Sequence, residues 1–426
     1  MSFRLRQLAL AALTANAVRP QRNPFVGPVS FPAGWLTGEL APHLLAALTV
    51  DSAIELTRRR GRTDKLGMAL ALGSAAGLGL ILRQSHAARA VLDRALEDGL
   101  GIAYAEQLDA QPTPAELAIP WRTLARPFKV FHGTAPGVRV VRDIAFTEFG
   151  RRGHLDLYLP EVRGTEPAPV LLQVHGGGWV LGRKDQQGLP LMRHLAAKGW
   201  ICVAINYRLA PRDRFPAQII DVKHAINWVR THIADYGGDP DYLAITGGSA
   251  GGHLAALAAL TPGDAAYQPG FEGADTSVQC AVPFYGVYDF AGASGLRSAE
   301  LMRDLFLAPR VVGKAFADAT EEFEAASPLL RITPDAPDFF VIHGTGDSLV
   351  EVEQGRRFVA QLRATSHRKV VYAEVPGAQH AFDVFPSIRS EHVLRAVDRF
   401  LHWHWQRYRA TRRASRDELV ASGPTR

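Results

Sequence analysis

Between about residues 136 and 405, short apolar runs of strand length alternate with segments of helical period. No other feature limits the fold as much. Strands covered on both faces read as continuous apolar runs, and they belong to mostly parallel sheets with helices packed on either side. Val170–Val174, Ile201–Ile205, Leu243–Thr246, Val278–Phe284, Phe339–His343 and Val370–Glu374 have this character. Ile144–Phe149 and Leu155–Leu159 flank Gly150-Arg151-Arg152-Gly153 and read as a hairpin. Between strands, Ile219, Val222, Ile226, Val229 and Ile233 share one helical face. Further helices are expected over Val352–Leu362 and from about Ser390 to Trp405. Residues 287–330 carry no strand signal and read as a helical insertion between two strands.

The 426 residues are too many for one ordinary domain. Residues 1–135 read as a helical N-terminal region, and 406–426 as a basic, frayed tail. Charge divides along the same lines. Residues 1–142 hold 17 Lys and Arg against 10 Asp and Glu; residues 143–405 hold 25 against 30. The middle therefore lacks the basic stripe that would neutralise phosphates, and nucleic acid is not an expected partner. Two cysteines exclude a disulfide scaffold and a Cys-rich metal site. Basic ends beside apolar segments point to membrane contact instead.

Two apolar stretches mark the N-terminal region. Trp35–Val50 is interrupted by Glu39, Pro42 and His43, whereas Leu66–Leu82 runs seventeen residues without a charge. The second just reaches spanning length, roughly 17–25 residues. It reads either as a buried helix covering the rest of the protein or as a membrane anchor. In the second case Arg58-Arg59-Arg60-Gly61-Arg62 would stay cytoplasmic and the large C-terminal part would face outward. The expected location is thus membrane or cell envelope, with cytoplasm as the alternative. Leu8–Ala17, after Arg4 and Arg6, reads as an amphipathic surface helix, with a short cleavable signal as the alternative.

The chemistry concentrates at strand ends. Gly247-Gly248-Ser249-Ala250-Gly251-Gly252 follows one strand and opens an apolar helical run. A serine on a tight strand-to-helix turn needs neighbours without bulk, and every neighbour here is Gly or Ala. The helix start also directs N–H groups toward the serine. His175-Gly176-Gly177-Gly178-Trp179 directly follows Val170–Val174, and such a glycine run lets backbone N–H groups converge on an oxyanion. A base and an orienting acid should follow the serine in chain order. His380, in the loop after Val370–Glu374, is the candidate base, and Asp347, after Phe339–His343, the candidate acid. Asp383 and Glu351 remain alternative acids. His253 lies too close to the serine, and His402 and His404 point to different helix faces and clamp no metal.

Together with Tyr207-Arg208-Leu209-Ala210-Pro211, these motifs resemble the hormone-sensitive-lipase family of α/β-hydrolase esterases, in its actinobacterial lipase/esterase branch. The resemblance covers about residues 140–405. It implies Ser249 as nucleophile, His380 as base and Asp347 as orienter. It also implies an oxyanion hole of the Gly177, Gly178 and Ala250 N–H groups, hydrolysis of short to medium acyl esters, and no metal or cofactor. A helical cap built from the N-terminal region and residues 287–330 is part of the same expectation. Two positions depart from it: Gly248 and Asn206 stand where many relatives carry acidic residues. The same machinery would serve an amidase or a lactone or xenobiotic-ester hydrolase, and a non-catalytic small-ligand binder would use the same pocket.

Overall fold

The computed structural model describes residues 1–22, 26–58, 64–109, 112–133 and 135–421. Arg59–Arg62 of the arginine run therefore lie outside the described residues, as does the end of the chain from 422.

Eight strands form one sheet: β1 (Val138–Ala145), β2 (His154–Pro160), β3 (Ala168–Val174), β4 (Ile201–Ile205), β5 (Gly238–Gly248), β6 (Cys280–Phe284), β7 (Asp338–Gly344) and β8 (Val370–Val375). Their order is β1-β2-β4-β3-β5-β6-β7-β8. β1 and β2 are antiparallel additions at one edge, and the other neighbours pair in parallel. Alternate side chains feed two cores. Val170, Leu172 and Val174 of β3 enter one, and Leu171 enters the other. This is the two-sided burial that continuous apolar strands require. The helices Ala217–His232 and Ala250–Leu260 cover the first face; Leu189–Ala197 and the start of Ile388–Ala421 cover the second.

β3 lies between β4 and β5, so the chain leaves it toward one side and later returns on the other. Loops at such a switch point part from each other and open a crevice beyond the strand ends. The glycine loop after β3 and the serine turn after β5 both lie there.

The N-terminal region is helical: α1 (Phe3–Val18), α2 (Gly27–Glu39), α3 (Ala41–Arg58) and α4 (Lys65–Leu100). The apolar stretch Trp35–Val50 is divided between α2 and α3, which break at Leu40. Buried positions recur along α4 with a seven-residue period: Gly67, Ala71, Ser74, Leu78, Ile81 and Ser85. Its two ends have different surroundings. The C-terminal end joins the sheet domain: Leu92 and Leu96 enter the second core, Gly99 lies against Val371, and Asp93 bonds Arg399 at 2.5 Å. The N-terminal end packs with α1 and α3 around a small separate cluster that includes Phe3, Leu48, Ala71 and Leu78. Among the described residues α4 is the one helix long and apolar enough to cross a membrane, and only 28% of its apolar window is buried.

After Gln406 the chain does not fray as expected. Residues 406–421 continue the helix that starts at Ile388. Arg409 and Arg413 reach Glu166, and Arg412 reaches Asp241 at 2.9 Å, so ion pairs on the sheet domain accompany the extension.

Candidate active site

Ser249 stands between β5 and the helix Ala250–Leu260 with φ 58° and ψ −121°. That backbone is strained for a residue with a Cβ, and its surroundings must hold it there. The Ser249 N–H donates to Phe284 O at 3.0 Å, and His253 N–H donates to Ser249 O at 2.9 Å. The neighbours are small because backbone comes close: a Cβ at Gly247 would lie 2.5 Å from Val174 O, and one at Gly252 2.7 Å from Phe284 O. Ser249 itself is partly exposed, while the rest of the turn is buried.

The glycine loop lies directly against this turn. A Cβ at Gly176 would sit 2.6 Å from Gly248 O and 3.2 Å from Ser249 Cβ. Gly177 and Gly178 have φ of 119° and 60°, which favour glycine. Gly176 N–H is engaged by Gln187 Oε1 at 2.7 Å. Among the described residues the N–H groups of Gly177, Gly178 and Ala250 have no hydrogen-bond partner. The loop is anchored from below. The Tyr207 ring stacks on His175 at 4.2 Å and its hydroxyl donates to His175 O at 2.8 Å. Trp179 Nε1 donates to His253 Nδ1 at 3.2 Å, and His253 Nε2 meets Ala326 O at 2.8 Å. Burial holds the His253 imidazole down at about 3, so it is neutral and serves as a brace between loop, helix and insertion.

His380 and Asp347 come together from the loops after β8 and β7. His380 Nδ1 lies 2.7 Å from Asp347 Oδ2. Both are almost fully buried. Asp347 Oδ1 accepts from the N–H groups of Leu349 and Val350, each at 2.9 Å, and Oδ2 is 3.3 Å from His343 Nε2. Burial opposes its charge, but His380 and the hydrogen bonds from His343 and His380 outweigh that, and the carboxyl is held well below its usual range. Gln379 Oε1 laces the two loops by accepting from Ser348 N–H at 2.8 Å and His380 N–H at 2.9 Å. Among the described residues no hydrogen bond joins Ser249 Oγ to His380. Such contacts are often loose without substrate. The Tyr285 hydroxyl occupies the space beside Gly248, and its ring lies 4.6 Å from His380.

The alternative acids are engaged elsewhere. Asp383 accepts the Tyr285 hydroxyl, and Glu351 accepts Ser298 Oγ at 2.6 Å. His402 contacts Asp398 and His404 contacts Tyr242, both away from Ser249.

Sequence reasoning missed several residues around the site. Phe31 of α2 meets the His380 ring edge-on at 5.8 Å and stacks on Trp35. Phe306 of the insertion packs over Gly178. Glu39 of α2 forms a buried ion pair with Arg389 and accepts Ser387 Oγ at 2.6 Å. Arg389 Nε in turn donates to Pro376 O at 3.2 Å, at the root of the His380 loop. α2 thus roofs the loops that carry Asp347 and His380. No local pattern marks these residues, because their partners lie hundreds of positions away.

Residues 155–362 match the BD-FAE family model. The chain is 46% identical over 404 residues to the probable carboxylic ester hydrolase LipM of Mycobacterium tuberculosis, covering 92% of this chain and 90% of that one. It is 48% identical over 283 residues to the esterase LipQ of the same organism, covering 66% of each. Among solved structures it resembles the propionate-bound esterase Est2 of Thermogutta terrifontis, with TM-score 0.52 and 25% identity over 62% of this chain and 94% of that one.

Proposed function

Because the chain belongs to the hormone-sensitive-lipase family of α/β-hydrolase esterases and is a carboxylic ester hydrolase, we propose that it works by acyl transfer through Ser249, His380 and Asp347. His380 takes the proton of Ser249 Oγ as that oxygen attacks the ester carbonyl carbon. The tetrahedral oxyanion is received by the N–H groups of Gly177, Gly178 and Ala250. His380 then hands its proton to the departing alcohol. Water, activated by the same imidazole, releases the acid from the acyl-enzyme. Asp347 holds the ring in the tautomer that carries its proton on Nδ1 and stabilises the imidazolium as it forms.

The observation that carries this reading is the 2.7 Å Asp347–His380 bond, together with a serine held on a strained strand-to-helix turn. The unpartnered N–H groups of the facing glycine loop add to it. The substrates are esters of short to medium acyl chains or lipids. The length and apolar character of α4 support a further part of the proposal, that the enzyme works in association with a membrane. Ser249→Ala and His380→Ala should each abolish turnover of p-nitrophenyl butyrate while leaving the circular-dichroism spectrum unchanged. Hydrolysis at the parent rate by either variant overturns the assignment.

A further inference from the structure

The bundle of α1, α3 and the first half of α4 buries polar residues beside its small apolar cluster and leaves large apolar residues facing outward. The contacts define its geometry. Phe3 packs on Gly67 and Thr14 on Gly77, so α1 and α4 run parallel. Arg6 and Gln7, early in α1, reach Asp51, late in α3, so α3 runs the other way. Gln7, Thr14, Glu55 and Ser74 are buried within. Leu5, Leu8, Val50, Ile54, Leu66 and Leu72 point outward, with exposures between 40% and 69%. All three helices contribute, so the apolar surface is not confined to one side. A helix bundle in water shows the opposite arrangement.

Charges bound this surface at both ends. α1 has no charged residue between Arg6 and Arg19, and α4 none between Lys65 and Arg83. Arg4, Arg6, Arg58 and Lys65 gather at one end of the bundle, by the helix directions above; Arg19 and Arg83 stand at the other, beside the sheet domain. Within the band, Asp51 is held by Arg6 and Gln7, and Glu55 is buried. Leu66–Leu82 rises about 25 Å at 1.5 Å per residue. A bilayer core is about 30 Å thick, a mismatch that small local thinning accommodates. The helices also meet through small residues, Gly67 under Phe3 and Gly77 under Thr14, as close packing in lipid favours.

We infer that this bundle inserts into a phospholipid bilayer, Lys65–Leu82 crossing it with α1 and α3 packed alongside. Arg4, Arg6, Arg58 and Lys65 lie among the anionic headgroups of one leaflet, and the catalytic domain stands on the opposite surface at the level of Arg19 and Arg83. This rests on the membrane-associated part of the proposed function and not on the catalytic triad. Lipid is the occupant, not a second copy of the chain: a dimer would cover one side, whereas three helices expose apolar residues between two cationic rims.

The test uses the full chain with vesicles of phosphatidylcholine and phosphatidylglycerol. The parent protein should float with the vesicles and stay with them through high salt and an alkaline carbonate wash. A Leu8→Glu/Leu72→Glu variant changes outward side chains. It should hydrolyse soluble p-nitrophenyl butyrate like the parent, yet partition into vesicles about tenfold less or weaker still. A parent protein that does not float overturns both insertion and membrane association. One that floats but is stripped by salt or carbonate overturns insertion and leaves the broader association standing. A detergent-free dimer that the same double variant splits into monomers overturns the choice of lipid in favour of a second copy. Loss of hydrolysis is read separately and bears on the triad alone.

Discussion

In the sheet domain the fully buried side chains include Trp179, Trp200, Phe290 and Phe339, and the strands around them are apolar on both faces. In α1, α3 and the first half of α4, buried positions include Gln7, Thr14 and Ser74, while Leu8, Ile54 and Leu72 face outward. The same chain therefore sorts its side chains in two senses. Hydrophobic burial dominates the first region, because removing apolar area from water is the main driving force there. The second region buries polar groups beside a small apolar cluster and leaves large apolar side chains outside, the arrangement on which the proposed membrane insertion rests. α2 joins the two regions. It continues the bundle, yet it brings Phe31 to His380 and Glu39 to Arg389.

This contrast can be broken or sharpened by measurement. Asp347→Asn should have the largest effect, lowering kcat by about 10⁴-fold with the fold intact, since the imidazole loses the acceptor that selects its tautomer. Steady-state kinetics would check it, and a loss under tenfold would remove Asp347 from the relay. Glu39→Ala leaves Arg389 buried without its carboxylate. It should destabilise the join by about 3–5 kcal/mol, seen as a lower midpoint in denaturant unfolding. If the midpoint is unchanged, α2 is not anchored through this pair.

Next comes acid sensitivity. Burial lowers His175 to about 4 and His253 to about 3, against about 6.5 for a histidine in an unfolded chain. Between those values the unfolded chain binds the extra protons, so stability falls as pH drops from about 6.5 and is flat above it. Each ring contributes a slope of about 1.4 kcal/mol per pH unit. His253→Gln should flatten the slope by one ring's share, measured by urea unfolding across about pH 4–6.5; an unchanged slope would mean that His253 charges in the folded state. The smallest effect is expected at Leu72→Ala, on the outer surface of α4. In detergent it should shift stability by no more than about 0.5 kcal/mol, against about 2–5 kcal/mol for Leu254→Ala in the helix behind Ser249. Equal losses would show that Leu72 is packed and that the outward surface is covered by protein.

The candidate site was legible where chemistry and local turn geometry coincide. Ser249 with its small neighbours, the glycines after β3, Asp347 and His380 each directly follow a strand, and strand ends are readable from short apolar runs. Strand limits were less so. β1 begins at Val138 rather than Ile144, and β5 begins at Gly238, because pairing with a neighbour extends a strand beyond its apolar stretch. The join was not legible at all. Glu39 and Arg389 are ordinary charged residues until 350 positions of chain bring them together, and Phe31 has no periodicity that assigns it to His380.

Sequence alone determined the alternation that makes a covered parallel sheet, the order serine, acid, histidine, and the charge-free run Leu66–Leu82. These are local properties: side-chain period, turn sterics and hydropathy act over a few residues. Tertiary structure decided that Asp347 rather than Asp383 or Glu351 bonds His380, that α2 roofs the candidate site, and that the N-terminal helices leave large apolar residues facing outward. Those outcomes depend on which distant segments share a neighbourhood, and pairwise contact of that kind leaves no period or motif in either segment taken singly.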